Sequence, residues 1–317
     1  MIRSKIDYSF DMSGIDVNNF NEIPFGTIVT HNYRIVKMLG HGGYGQCYEG
    51  IDINSGHKVA VKVQMHGHEV AQMSMNTEID CYEVMANTEG FPKLYFGGED
   101  NHKYLLVIQL LKEDLSKLFS KCSHNFSPKT IFMLAEQLLI RLNALHENFI
   151  VHKDLKPENI MIDNENKLYL IDFGLCEMFI DPETLSYDDS GSFISYKPNI
   201  GGHTLCGTVR YCSINAHLGS DLSPRDDMEC LAYTLIYFFL GYLPWDDWLS
   251  SNDVFDEKMS FLSSEYSCLL PPVLVQFLKY CQQLEYSSEP DYTHWQQMFV
   301  NQQFEYNFEW DYKYEWM

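Results

Sequence analysis

The chain has 317 residues, 45% hydrophobic and 15% aromatic, and its 44 acidic residues outnumber 22 Lys and Arg for a formal charge of −22. This composition excludes a disordered acidic chain and suggests a globular protein of about two domains or lobes. The negative charge repels phosphate backbones and anionic lipid, so we expect neither a nucleic acid nor a membrane as partner.

Nine scattered cysteines form no C-x-x-C pair. This pattern argues against a zinc ribbon and favours a reducing, intracellular location, in the cytoplasm, the nucleus or both. Residues 1–25 lack the apolar core of a signal peptide. The most apolar run, residues 230–243, is shorter than the roughly 20 residues of a membrane span, so it is predicted to be a buried helix.

The first part of the chain predicts a small antiparallel sheet with one helix. Residues 1–32 form an N-terminal extension, and residues 33–111 form the first lobe. Alternating and β-branched segments predict strands, and helical periodicity appears at about residues 73–87. The strand-like segments lie at residues 33–39, 46–50, 58–63, 94–96 and 104–108.

Helices dominate the second lobe, residues 112–317. Ser127 and Pro128 are typical of a helix cap and first helical residue. Residues 226–241 predict a helix that is apolar on almost every side and therefore central. Further helical segments lie near residues 270–284 and 291–300. The predicted class is α+β, with two lobes and a nucleotide cleft between them.

Gly40, Gly42 and Gly45 form a G-x-G-x-x-G motif between two predicted strands. The motif alone is weak, because a hairpin turn gives the same pattern and a dinucleotide fold would need a helix directly after it. Between strands, such a loop covers the phosphates of ATP in protein kinases, since glycines let backbone N–H groups approach the phosphate oxygens.

Lys62 ends the run Val59-Ala60-Val61-Lys62, seventeen residues after Gly45. A strand lysine is usually only solvated, but this run matches the kinase strand whose lysine contacts the α- and β-phosphates. We predict Glu78, on the following helix, as its carboxylate partner in preference to Glu69 or Glu83.

Two short segments concentrate the groups that phosphoryl transfer needs: His152-Lys153-Asp154-Leu155-Lys156-Pro157-Glu158-Asn159 and, thirteen residues later, Asp172-Phe173-Gly174. They resemble the catalytic and metal loops of protein kinases. The reaction needs a carboxylate to orient a hydroxyl, a cation near the phosphoryl group and oxygen ligands for Mg²⁺. The predicted roles are: Asp154 as base, Lys156 as phosphate-steadying cation, Asn159 and Asp172 as magnesium ligands, and Thr208 as a brace for Asp154 and Lys156.

Lys153 stands where the kinase pattern has Arg. In kinases that are activated by loop phosphorylation, this Arg clamps the phosphate with two hydrogen bonds, which a lysine cannot do. The substitution therefore indicates either activity without loop phosphorylation or a nearly neutral change.

Ser213-Ile214-Asn215 stands where most kinases carry Ala-Pro-Glu. Ser-Ile-Asn is the mark of the casein kinase 1 family, which the chain resembles over roughly residues 30–312 as a diverged member. Five further segments carry the same resemblance, at residues 110–119, 223–229, 243–245, 289–292 and 308–310.

The resemblance implies a bilobal Ser/Thr protein kinase domain at about residues 33–312 that uses ATP and Mg²⁺ and acts on Ser and Thr hydroxyls of protein substrates. It implies a monomeric catalytic domain. By position, Asp227 ties the catalytic loop to the central helix, and the adenine lies among Cys47, Ala60, the gatekeeper Ile108 and the hinge from Gln109 to Leu111. Cys47 replaces an apolar residue and acts either as a small hydrophobic side chain or as a thiol open to electrophiles.

The chain also departs from the family. The family favours acidic or phosphorylated substrates, and Arg210 and Arg225 match part of its anion-binding set. Residues 246–253 are acidic where the family is basic, which puts phosphate-primed selectivity and the nuclear-targeting run in doubt. The activation segment has an insert around residues 188–192. Because no regulatory tail follows Met317, we do not expect autoinhibition by a tail.

The alternative from another class is a pseudokinase that acts as a scaffold or allosteric partner. Such proteins lose the phosphate-binding lysine, the catalytic carboxylate or a metal ligand, whereas Lys62, Asp154, Asn159 and Asp172 are all present here. A nucleic-acid-associated protein is disfavoured by the charge.

Overall fold

The computed structural model of the protein describes residues 22–42, 45–65, 69–181, 196–248 and 250–317. The insert at residues 188–192 and residues 1–21 of the extension lie outside this part. The described chain divides into two compact units, one of residues 22–113 with 161–176, the other of residues 114–160 with 177–317.

The strands and helices follow in chain order. The strands are β1 (Ile28–Val29), β2 (Tyr33–Gly42), β3 (Gly45–Asp52), β4 (Lys58–Met65), β5 (Leu94–Asp100), β6 (Lys103–Gln109), β7 (Glu113–Asp114), β8 (Ile150–Val151), β9 (Ile160–Ile162), β10 (Leu168–Leu170) and β11 (Glu177–Met178). The α-helices are α1 (Glu69–Val84), α2 (Leu115–Lys121), α3 (Pro128–Glu147), α4 (Ile214–His217), α5 (Pro224–Leu240), α6 (Ser251–Ser260), α7 (Pro272–Gln283) and α8 (Tyr292–Glu305). The predicted α+β class is confirmed.

The first unit is built on a six-stranded sheet in the order β1-β2-β3-β4-β6-β5, with antiparallel neighbours throughout. Its inward face alternates with the pleat, so Ile35, Tyr48, Val61 and Val107 are fully buried. Ile23 is also buried, and its N–H donates to the Tyr48 hydroxyl at 2.9 Å. The described end of the N-terminal extension therefore packs on this sheet.

Helix α1 begins at Glu69, four residues before the predicted start, and ends at Val84. The additional first turn carries a buried Ala71 and the Glu69 carboxylate, which is favourable near the positive end of a helix dipole. The helix carries Glu78, so its position sets the location of one predicted site residue.

Helix α5 is the core of the second unit. It starts at Pro224, two residues before the predicted start, because the Asp226 carboxylate accepts the N–H of Ser223 at 2.8 Å and caps the first turn. Gly241 ends it in the left-handed conformation, at φ +82°. Every residue from Asp226 to Phe238 is buried, which confirms the prediction of a central helix. Within the described residues, no helix is long and apolar enough to span a membrane.

The sequence correctly indicated the start of α3. The Ser127 hydroxyl accepts the N–H of Thr130 at 3.3 Å, and Pro128 is the first helical residue. The short helices α2 and α6 were not predicted. Helix α6 begins at the end of the acidic stretch of residues 246–253 and buries only Val254 and Lys258, so it has no apolar periodicity to reveal it.

Candidate active site

The glycine motif lies in the hairpin between β2 and β3. Gly42 pairs with Gly45, and Gly40 pairs with Cys47. Gly45 has φ +133°, and a Cβ there would overlap the backbone carbonyl of Val63 on the next strand, so a side chain is excluded at this position. A strand, not a helix, follows the motif, as the sequence predicted.

Lys62 on β4 is paired with two carboxylates of its own unit. Its Nζ lies 2.6 Å from Oε2 of Glu78 and 2.9 Å from Oδ1 of Asp172. The predicted pair with Glu78 is thus present. Burial alone would lower the pKa of Lys62, but Asp172 and Glu78 outweigh it and raise that pKa. The side chain therefore stays cationic, as a phosphate-binding group must.

Helix α1 also holds the Asp172-Phe173-Gly174 segment. Phe173 is fully buried, and its ring centroid lies 5.1 Å from that of Tyr82. The Ser74 hydroxyl donates to the Gly174 carbonyl at 2.9 Å. Asp172 itself has a left-handed backbone, at φ +65°, which turns its carboxylate toward Lys62. Sequence reasoning missed Ser74 and Tyr82, which show only ordinary helical periodicity.

The predicted adenine-binding residues lie on adjacent strands. Ala60 on β4 pairs with Ile108 on β6, Gln109 is the last residue of β6, and Leu111 is buried shortly after it. On β3, burial raises the pKa of the Cys47 thiol to about 11. A thiol of that pKa stays protonated near neutrality, so the structure favours the small hydrophobic role for Cys47 over the reactive one.

In the second unit, Asp154 is held by three side chains. The Thr208 hydroxyl and N–H donate to its Oδ1 at 2.7 and 2.9 Å, and Lys156 Nζ lies 2.6 Å from its Oδ2. Lys156 also donates to the Thr208 hydroxyl at 2.9 Å, so the predicted brace is present. Asn159 Nδ2 donates to the Asp154 carbonyl at 2.9 Å. These bonds fix the orientation of a nearly buried carboxylate.

Asn159 and Asp172 carry the donor chemistry that Mg²⁺ prefers. Because the amide nitrogen of Asn159 donates to the Asp154 carbonyl, its amide oxygen is the atom left to ligate a cation. Amide and carboxylate oxygens are hard ligands and suit magnesium. Each of the two residues, considered within its own unit, therefore offers an oxygen of the kind that the predicted ion takes.

Asp227 on α5 anchors the loop before Asp154. Its carboxylate accepts the N–H groups of His152 and Lys153 at 2.7 and 2.9 Å and a ring nitrogen of His146 at 2.8 Å. Burial alone would raise the pKa of Asp227, but these bonds and the nearby histidines lower it. Lys153 has φ +68°, a conformation that its N–H bond to Asp227 helps to hold. His146 was missed because a lone histidine on a core helix carries no motif.

The Lys153 ammonium meets a carboxylate of the same unit. Its Nζ lies 2.7 Å from Oε2 of Glu177, and Lys197 approaches the other oxygen of Glu177 at 3.4 Å. The Lys153 side chain is 9% exposed. A carboxylate at the start of the activation segment thus engages the cation that stands in place of the phosphate-clamping arginine.

The Ser-Ile-Asn motif is fixed to the start of α5. The side chains of Ser213 and Asn215 donate to Oδ1 of Asp226 at 2.7 and 3.0 Å. The N–H of Ile214 donates to Glu229 at 3.2 Å, and burial raises the pKa of Glu229 to about 7. The motif therefore ties the end of the activation segment to the central helix.

The two arginines predicted to bind substrate anions have partners in the protein. Arg210 pairs with Asp246 and lies with its guanidinium 4.4 Å from the ring centroid of Tyr237. Arg225 donates to the Leu284 carbonyl at 3.2 Å, and its side chain is 12% exposed. Arg225 consequently offers little surface to a substrate.

Lys258 was missed altogether. This residue of α6 is fully buried, and its Nζ donates to the carbonyls of Val209 and Cys212, each at 2.7 Å. It approaches His217 Nε2 at 3.2 Å. The sequence shows only one lysine in an acidic helix, which is typical of a solvated residue, so no signal could have revealed this role.

The chain is similar to a known protein family and to a known protein. The family described as Protein kinase domain matches residues 33–298. Casein kinase I homolog 2 of Schizosaccharomyces pombe is 32% identical over 284 residues, which cover 86% of this chain and 63% of the relative. The chain thus spans less than two thirds of the length of that relative.

Proposed function

This chain belongs to the protein kinase family and is casein kinase 1-like, and we propose that it is an active serine/threonine kinase that transfers the γ-phosphoryl group of ATP to protein hydroxyls. The observation that carries the proposal is the Asp154 carboxylate, held by Thr208 and Lys156. A scaffold without catalysis has no need of a fixed carboxylate beside a cation. The pairing of Lys62 with Glu78 supports the same conclusion.

Each group has a role that follows from its chemistry. Asp154 orients the acceptor hydroxyl and accepts its proton, and Lys156 steadies the transferring phosphoryl group. Lys62 would bind the α- and β-phosphates, and the glycine hairpin would offer backbone N–H groups to the phosphate oxygens. Asn159 and Asp172 would supply oxygen ligands to Mg²⁺, and the ion would neutralise negative charge on the phosphates of ATP.

We further propose that the kinase acts without phosphorylation of its activation segment. The Glu177 carboxylate already pairs with Lys153, so the cation has a negative partner that requires no modification. This pair supports the first of the two interpretations of Lys153 over a neutral substitution.

The remaining expectations are retained as proposals: one kinase domain at about residues 33–312, a monomeric state and an intracellular location. All nine cysteines are free, which supports a reducing compartment.

The test is phosphate transfer from labelled ATP to casein by the full chain and by Asp154→Asn. We expect the variant to lose roughly 10²- to 10⁴-fold in rate, because it lacks the base. Asp256→Asn, an exposed change on α6, is the matched control and should keep full activity.

Equal transfer by the wild type and Asp154→Asn would refute the catalytic role. If neither transfers phosphate above background while Mg-ATP still raises the melting temperature, the pseudokinase alternative holds instead.

A further inference from the structure

A surface cavity adjoins the segment that braces the proposed catalytic base. Its volume is about 310 Å³, and it belongs to the second unit, residues 114–160 with 177–317, which is mainly helical and is called the helical unit below. It is lined by Val209, Arg210, Trp245, Asp246, Trp248 and Val254. Val209 directly follows Thr208, whose hydroxyl bonds the Asp154 carboxylate at 2.7 Å. Since consecutive Cα atoms are about 3.8 Å apart, a residue near the phosphorylated hydroxyl of a substrate can reach this cavity.

The two charged groups that line the cavity neutralise each other. The Arg210 guanidinium pairs with Asp246 and lies over the rings of Tyr237 and Tyr211. The Asp246 carboxylate also accepts the N–H of Leu243 at 2.8 Å. An incoming phosphate would thus find the guanidinium already paired, with a carboxylate beside it that repels the phosphate.

The surroundings of the cavity are negative. Asp247 and Asp253 adjoin lining residues in the sequence, are exposed, and have no ion-pair or hydrogen-bond partner among the described residues. Lys258, which lies on helix α6 with Asp253, is fully buried and adds no exposed positive charge.

Trp248 is an aromatic residue that lines the cavity. It is 50% exposed, an unusual state for a large aromatic side chain beside a cavity. A cation over the face of an indole ring is attracted by the negative charge of that face. An arginine can place its planar guanidinium on such a ring while it donates to neighbouring carboxylates.

We propose that this cavity binds an arginine side chain of the protein substrate close to the acceptor hydroxyl, with Trp248, Asp247 and Asp253 as the specificity-determining residues. The inference rests on the proposed kinase function and names the substrate class of the same site. It reverses the preference for acidic or phosphorylated substrates that the family resemblance implied.

The experiment is a peptide series with one acceptor serine, tested with the full chain. In each peptide, one residue at a chosen position before or after the serine is arginine, citrulline, leucine, phosphoserine or alanine, and several such positions are tested. Citrulline keeps the shape of arginine without its charge. At one position we expect arginine to raise kcat/KM roughly 3- to 10-fold over citrulline and leucine, mainly through KM. A preference for phosphoserine or leucine, or no preference, would overturn the proposal.

Variants locate the effect. Trp248→Ala and the double change Asp247→Asn with Asp253→Asn should each abolish the arginine preference, measured as the ratio of kcat/KM for the arginine peptide to that for the citrulline peptide. The matched controls are Phe304→Ala, which is 78% exposed on α8, and the double change Glu305→Gln with Glu309→Gln. The second control removes the same number of charges elsewhere. If it reduces the preference equally, net charge explains the selectivity and the proposal fails.

A binding measurement separates this proposal from the kinase function. Fluorescence anisotropy of a labelled arginine peptide with alanine at the acceptor position needs no catalysis. Arginine-selective binding that is lost in Trp248→Ala supports the cavity even if no phosphate is transferred. Phosphate transfer without arginine selectivity in either assay keeps the kinase function and refutes the cavity proposal.

Discussion

Replacement of Lys258 by methionine should destabilise the helical unit by about 2–4 kcal/mol. The buried ammonium makes two charge-assisted bonds of 2.7 Å to the carbonyls of Val209 and Cys212. Such bonds contribute about 1.5–3 kcal/mol each, and their loss would leave the Val209 carbonyl with only the weak Cys212 thiol donor at 3.5 Å. Part of the loss is offset because methionine fills similar volume without the cost of burying a charge. Burial indeed lowers the pKa of Lys258.

The assay is urea unfolding followed by circular dichroism, with the free energy compared at one protein concentration. Lys279→Met, an exposed change on α7, is the control and should change stability by less than about 0.5 kcal/mol. A change of that small size for Lys258→Met as well would refute the view that this ammonium organises residues 209–212.

His217 provides a second readout of the same perturbation. Burial first, and the Lys258 charge second, lower the pKa of His217 to about 4. Without the cation, the pKa should rise toward the usual 6.5, which NMR titration of the ring proton measures. The unfolded chain binds a proton at His217 near pH 6.5, whereas the native state binds it only near pH 4. The free energy of unfolding of the wild type should therefore decrease as the pH is lowered from about 6.5 to about 4, and it should decrease less in the variant.

Two further predictions concern the active site. Asp227→Asn should cost about 3–5 kcal/mol of stability and most of the activity, since it removes the carboxylate that accepts three N–H groups around the catalytic loop. Urea unfolding measures the stability and phosphate transfer measures the activity. A stable, fully active variant would contradict the anchoring role. Cys47 should resist alkylation by iodoacetamide at pH 7 and react faster as the pH approaches its pKa of about 11, whereas the exposed Cys268 should react at once. Peptide mass spectrometry measures the modification of each cysteine. Rapid modification of Cys47 at pH 7 would support the reactive-thiol interpretation instead.

The residues of the candidate site could be predicted from the sequence because phosphoryl transfer restricts residue types at fixed spacings. Lys62, Asp154, Asn159 and Asp172 each carry a group that few other residues supply, and the short segments that hold them keep those groups in a fixed order. The alternation of strands, the cap of α3 and the apolar run of α5 are also local signals, which is why these elements were predicted to within a few residues.

What the sequence by itself determined is therefore the kinase family, the α+β class and the identity of the proposed catalytic groups. Only the tertiary structure decided how distant residues pair: Lys153 with Glu177, Arg210 with Asp246, and Lys258 with the backbone of residues 209–212. The physical reason is that a charged side chain has the same local pattern whether it is solvated or buried. Its partner, which lies 24 to 49 residues away in these cases, is brought to it only when the chain packs.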